Sequence, residues 1–172
     1  MSARSARVVV IGGGPAGLMA AETLAGAGHA VTLCDAMPSV GRKFLLAGIG
    51  GLNLTHSEEP ERFKQRYGNR RDRIAPLLDA FGAQALQDWA ATLGIATFTG
   101  SSGRVFPVGM KAAPLLRAWL QRLRAGGVRI LVRHRWLGWE AGAASACAAV
   151  AFSTPAGIVE LHADALVLAL GG

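Results

Sequence analysis

Three glycines stand in the spacing G-x-G-x-x-G, at Gly12, Gly14 and Gly17, directly after four apolar β-formers at residues 8–11. An Ala/Leu-rich helical pattern follows at once, from Pro15 to about Gly26. Glycine carries no reactive group, so the chemistry here is that of exposed backbone. Gly12 lets the chain turn sharply off a strand. Gly14 lacks a Cβ, so a charged group can approach the peptide. Gly17 lets the helix lie close on the strand. A diphosphate then rests on N–H groups around Ala16 at the helix N-terminus, where the macrodipole favours negative charge. Pro15 suits the first turn because its missing N–H would have no helical partner. A second strand pattern, residues 30–35, ends in Asp35, followed by Ala36. An acid at about this interval accepts hydrogen bonds from the adenosine ribose hydroxyls. It also repels a 2′-phosphate, which argues against NADP at this site.

The second stretch with chemical potential is GRKFLLAGIGGLNLTH, residues 41–56. Residues 41–55 are rich in glycine, carry two cations and show no clean period of 2 or 3.6, so they read as a structured loop. Gly41 opens it. Arg42 and Lys43 can neutralise a pyrophosphate. Asn53 and Thr55, on either side of Leu54, can hydrogen-bond a flavin or its ribityl chain. The plainer alternative is a long surface loop whose basic pair faces water. Four histidines (His29, His56, His134, His162) are scattered, and Cys34 and Cys147 form no C-x-x-C or metal spacing, so no metal site is expected. No Ser-His-Asp set or paired-carboxylate site is visible, and no catalytic residue is assigned.

With 172 residues, 51% of them hydrophobic and 17% charged, the chain is long and apolar enough to bury a core. Its formal charge of +7 raises the question of nucleic acid. The cations cluster at Arg62–Arg73, interleaved with acids, and along Arg117–Arg135. Both clusters read as solvated faces, and no nucleic-acid motif accompanies them. No apolar run is long enough for a membrane span. The N-terminal apolar run breaks at Gly12, a poor signal peptide, so a cytoplasmic location is expected.

The elements that must position these residues follow in order. Residues 7–11, 15–27 and 30–35 form a strand, a helix and a strand. A helix-rich excursion then occupies about 58–110. Glu58, Glu59 and Glu61 around Pro60 mark an acidic helix start. Ile74, Leu77, Leu78 and Phe81, then Leu86, Trp89, Ala90 and Leu93, recur at helical spacing and read as core. Short extended pieces at 95–99 and 104–106 flank a GSSG turn. Residues 111–125 are the clearest amphipathic helix, with Ala112, Leu115, Leu116, Trp119, Leu120 and Leu123 on one face. A third strand at 128–132 gives the parallel order 3-2-1. Residues 135–139, 146–153 and 157–162 suggest a β-meander, within about 135–162. A final buried strand at 163–170 returns beside strand one. An ordinary NAD-dependent dehydrogenase would place another βα unit promptly after strand two, and this chain does not.

The 41–56 stretch resembles the GRK-L-x-x-S-G-x-G-x-C-N-x-T-N signature of a bacterial family of NAD(P)/FAD-dependent oxidoreductases, which includes aminoacetone-oxidase-like and bile-acid-inducible reductase-like proteins. GSSGRVFP at 100–107, Lys111 with Ala112, and ALVLALGG at 165–172 are similar to further parts of its pattern. There are departures: Leu52 stands for the family's Cys, His56 for Asn, Leu170 for Thr, and Asp35 where many relatives carry Glu. The resemblance implies an α/β fold of the two-dinucleotide-binding flavoprotein type: a Rossmann-like parallel sheet with a crossover helix, a helical insertion and a β-meander. It implies FAD as cofactor, NAD(P)H as a candidate electron donor and a small-molecule substrate. It adds Trp136 near the adenine, Ala169 and Gly171 near the phosphates or flavin, and Arg104 as an anion or substrate contact; the alternative reading of Arg104 is a buried structural arginine. It also implies that residues 1–172 are a partial, truncated FAD-binding domain lacking the C-terminal portion of the family fold. The alternatives are an NAD-dependent dehydrogenase domain and a non-catalytic dinucleotide-binding fragment.

Overall fold

Arg7–Ile11 forms strand β1, Pro15–Gly26 helix α1 and Ala30–Cys34 strand β2. A short helix, α2 (Arg42–Ala47), and a two-residue strand, β3 (Thr55–His56), follow. Helices α3 (Pro60–Gln65), α4 (Arg71–Ala80) and α5 (Ala83–Thr92) come next, then strands β4 (Thr97–Thr99) and β5 (Arg104–Pro107). Helix α6 (Ala112–Ala125) leads to β6 (Arg129–Leu131), β7 (Arg135–Trp136), β8 (Ala149–Thr154), β9 (Gly157–His162) and β10 (Ala165–Leu168). This computed structural model describes residues 5–138 and 149–171. Cys147, Gly172 and most of the alanine-rich stretch before β8 lie outside the described residues. The chain divides into two units: Met1–Phe44 with Leu120–Gly172, and Leu45–Trp119.

The first unit is built on a parallel sheet in the order β10-β1-β2-β6. The reading 3-2-1, with the last strand beside the first, matches this order. β1 is buried along Val8–Ile11, as expected of a strand covered on both faces. Val9 and Ile11 pack with Cys34, Val150, Phe152 and Ala163, which joins the parallel sheet to the antiparallel meander β7-β8-β9. Val8 and Val10 point to the opposite face by the two-residue period. On α1, Leu18 and Ala21 are fully buried. Arg122 of α6 and Glu22 of α1 form an ion pair at 3.0 Å. β10 was expected to be buried, but Leu168 is 49% exposed and the strand has one neighbour among the described residues. Its apolar sequence predicts two covered faces, whereas Ala165 and Leu168 are exposed.

The second unit holds the antiparallel sheet β3-β5-β4 and the helices α3 to α5. Glu59 caps α3, accepting from the N–H groups of Glu61 and Arg62 at 3.1 and 3.0 Å, so the acidic start is where the sequence puts it. Trp89 meets Trp119 edge to face, with centroids 4.7 Å apart. Four expectations are corrected. The α4 stripe is not core: the helix buries no residue, and Leu77 and Phe81 are 64% and 42% exposed. Helical spacing defines a face but does not supply a partner for it. Lys64, read as part of a solvated face, is buried between Glu61 (2.6 Å) and Asp79 (2.5 Å). Asp79, and next Glu61, hold its ammonium above the ordinary lysine range. Arg104 is exposed on β5 and is not a buried structural arginine. Part of the expected 41–55 loop is helical as well. Arg42–Ala47 are good helix formers, but six residues span under two turns, too short for a period to show.

Candidate functional site

A cavity of about 440 Å³ opens at the carboxyl ends of β1, β2 and β10, within the first unit. Open α/β sheets place ligands in such a crevice. Gly12, Gly14, Pro15, Ala16, Asp35, Ala36, Arg42, Lys43, Trp136, Ala169 and Gly171 line it. The structure thus brings eleven of the fifteen residues singled out from sequence to one wall. Gly17 and Gly41 lie behind the lining. Asn53 and Leu54 belong to the second unit, where Asn53 is exposed and the Leu54 N–H donates to Val105 O at 2.8 Å.

The glycines differ in what a side chain would meet. Gly12 has φ 109°, and a Cβ there would sit 2.2 Å from Ala169 O. A Cβ on Gly17 would lie 1.8 Å from Gly12 O, so α1 passes too close to the turn for any side chain. Gly14 has ordinary extended backbone, φ −77° and ψ −179°, and a Cβ there would meet nothing within 4 Å. That open space is the cradle a ligand needs. Pro15 occupies the first turn of α1, and no side chain caps the helix. Among the described residues, the N–H groups of Ala16 and Gly17 have no acceptor. They are the orphan donors of a helix start, and Ala16 itself lines the cavity.

Arg42 and Lys43 are exposed at the cavity wall. A Cβ on Gly171, which has φ 79°, would stand 3.2 Å from Lys43 Nζ, so this ammonium lies close to the backbone after β10. Asp35 departs from the simplest expectation. Its Oδ2 accepts from Gly13 N–H and its Oδ1 from Met37 N–H, each at 2.7 Å, so both oxygens already hold backbone. Sequence reasoning missed Gly13, Met37, Ser39 and His134 as lining residues. For Gly13 a signal existed in the uninterrupted run Gly12–Gly14. Met37, Ser39 and His134 lie in the segments after β2 and β6, and no sequence signal marked them.

Cys34 is fully buried, as its strand position suggested, and its thiol is pushed up to about 12 from the ordinary value of 9.0 by that burial, against a smaller opposing effect of Arg129. The folded state therefore keeps the thiol neutral between about pH 9 and 12 while the unfolded chain ionises. Its contribution to stability is full below pH 9 and is lost as pH rises toward 12. In the folded protein Cys34 is expected to resist iodoacetamide at pH 8 and to react fully in denaturant, as read by peptide mass mapping. Rapid labelling of the native protein would contradict the burial. Among the described residues no cluster of His, Cys, Asp and Glu could hold a metal, and no helix is long and apolar enough to cross a membrane.

Comparison with known proteins accords with this geometry. A family described as HI0933-like protein Rossmann domain matches residues 6–172. The fold is similar to that of 3-ketosteroid-Δ4-(5α)-dehydrogenase from Rhodococcus jostii RHA1, with a TM-score of 0.69 and 16% identity over 98% of this chain and 46% of that one. It is also similar to a flavocytochrome c3 fumarate reductase, with a TM-score of 0.70 and 19% identity over 99% of this chain and 34% of that one. THI4 of Thermovibrio ammonificans gives a TM-score of 0.59 and 16% identity over 97% of this chain and 58% of that one. At such identities the likeness is one of fold, and the chain spans only part of each of these structures. No curated protein matches the sequence.

Proposed function

The chain belongs to the HI0933-like Rossmann domain family, an FAD-binding oxidoreductase family, and on that premise we propose that the cavity at the carboxyl ends of β1, β2 and β10 holds the adenosine diphosphate half of FAD. The observation that carries the proposal is the open space at Gly14, next in sequence to Ala16 and Gly17, whose N–H groups have no acceptor among the described residues. The diphosphate rests there, and Arg42 and Lys43 offset its charge from the cavity wall. Asp35, Ala36 and Trp136 flank the adenosine, and Ala169 and Gly171 lie toward the flavin. Support for Asn53 and Leu54 as flavin contacts comes from sequence alone, from the hydrogen-bonding side chain of Asn53 and from the motif resemblance. Bound flavin would supply hydride and single-electron chemistry. The residues of this chain bind it, orient it and balance its charge. In the whole protein this domain would serve oxidation or reduction of a small-molecule substrate, with NAD(P)H as the proposed donor.

Calorimetric titration tests the assignment. FAD should bind one to one and more tightly than NAD⁺. Arg42→Ala and Lys43→Ala should each weaken FAD by about tenfold at low salt, as loss of a charge-assisted contact predicts. Each variant should also flatten the salt dependence of binding. Equal affinity for FAD and NAD⁺, or unchanged affinity in both variants, would sink the reading.

A further inference from the structure

We propose that Asp35 is a positioning residue: its carboxylate holds the glycine turn in the shape that receives a diphosphate, and most of its effect on nucleotide binding runs through backbone. The choice of ligand rests on the FAD reading above; the geometry does not.

All four polar groups of Asp35 are engaged by main chain. Its N–H donates to Leu131 O and its carbonyl accepts from His134 N–H, both at 2.9 Å. Its Oδ2 accepts from Gly13 N–H and its Oδ1 from Met37 N–H, both at 2.7 Å. One residue therefore ties together the glycine turn after β1, the bend after β2 and the segment leaving β6. Arg133 in that segment adds a further tie, donating its N–H to Met37 O at 3.0 Å.

Gly13 is held from its other sides as well. Its carbonyl accepts from Gly41 N–H at 2.7 Å, and a Cβ on it would meet Val40 Cγ1 at 2.4 Å. The peptide between the two fingerprint glycines is thus fixed by Asp35 on one side and by the loop leading to Arg42 on the other. The short distances to Oδ1 and Oδ2 are those of charge-assisted hydrogen bonds. A carboxylate has about four acceptor positions, so ribose hydroxyls can share the remainder. Removing the carboxylate would first leave the N–H of buried Gly13 unpaired and release the turn.

The test is a four-cornered cycle with a second readout. Wild type and Asp35→Asn are titrated with FAD and with FAD whose adenosine ribose lacks its 2′ and 3′ hydroxyls. Asparagine keeps the shape but turns an NH₂ group toward one of the two N–H donors. Asp35→Asn should weaken FAD by about tenfold or more, and at least half of that loss, on a logarithmic scale, should persist with the dideoxy ligand. In the nucleotide-free protein, NMR amide exchange at Gly13 and Met37 should speed up by about tenfold or more, while Val10 and Leu33 stay protected. If less than half of the loss persists, the ribose contact carries the residue and the proposal falls. Unchanged exchange at both Gly13 and Met37 would also overturn it. If wild type binds neither flavin, the FAD reading fails, and the exchange rates still decide whether Asp35 holds the turn.

Discussion

Gly14→Val is expected to abolish FAD retention while lowering the thermal midpoint by only a few degrees. The backbone at Gly14 is extended, a conformation that valine adopts freely and that a residue before proline favours. A Cβ there meets no protein atom within 4 Å. The folding cost is confined to the helix cap, where a β-branched residue is a poorer N-cap than glycine by about 1 kcal/mol. For a chain of this size that is a shift of roughly 2–4 °C. The binding cost is larger, because the three added carbons occupy the space beside the Ala16 and Gly17 N–H groups. Loss of a diphosphate contact to two backbone donors is expected to weaken FAD by about a hundredfold or more. The check is flavin absorbance of the purified variant together with its melting curve by circular dichroism. A yellow Gly14→Val protein would place the nucleotide elsewhere.

Gly17→Ala should fail in the opposite way. Helix propensity alone favours alanine over glycine inside α1 by about 1 kcal/mol. The tertiary structure opposes it: the new Cβ would lie 1.8 Å from Gly12 O and 3.3 Å from the Ala169 Cβ. The first of these is backbone and cannot rotate away. Either α1 must lift from β1, which uncovers Leu18 and Ala21, or the Gly12 turn must distort. Overpacking of this kind costs about 3 kcal/mol or more, which outweighs the propensity gain. The thermal midpoint is expected to drop by roughly 5 °C or more, with flavin loss following from misfolding. A midpoint equal to or above that of wild type would show that α1 has room to shift. The two variants differ by three positions in one motif, yet one is read in ligand binding and the other in folding.

Much of this is legible in the sequence. Residues 8–11 are apolar at every position, which marks a strand covered on both faces, and β1 is that strand. Pro15 and the glycines locate the start of α1 because their stereochemistry allows few alternatives. In α6, Ala112, Leu115, Leu116, Trp119 and Leu123 are buried as the period of 3.6 requires. Periodicity failed where it lacked length or a partner. α2 is too short to show a period. α4 shows one, but Leu77 and Phe81 remain exposed. β10 reads as a covered strand, but its ends Ala165 and Leu168 are exposed.

Local stereochemistry, carried by residue type, therefore determined the turn and the helix that leaves it; the handedness of parallel crossovers gave the order of the first three strands, and the motif resemblance gave Trp136, Ala169 and Gly171 on the cavity wall. Which groups meet across the chain was decided only by the tertiary structure. Gly13 and Asp35 are 2.7 Å apart there because parallel β1 and β2 end side by side. Lys64 is buried because Asp79, on another helix, reaches its ammonium. Such contacts depend on chain separation and register, and a one-dimensional pattern records neither.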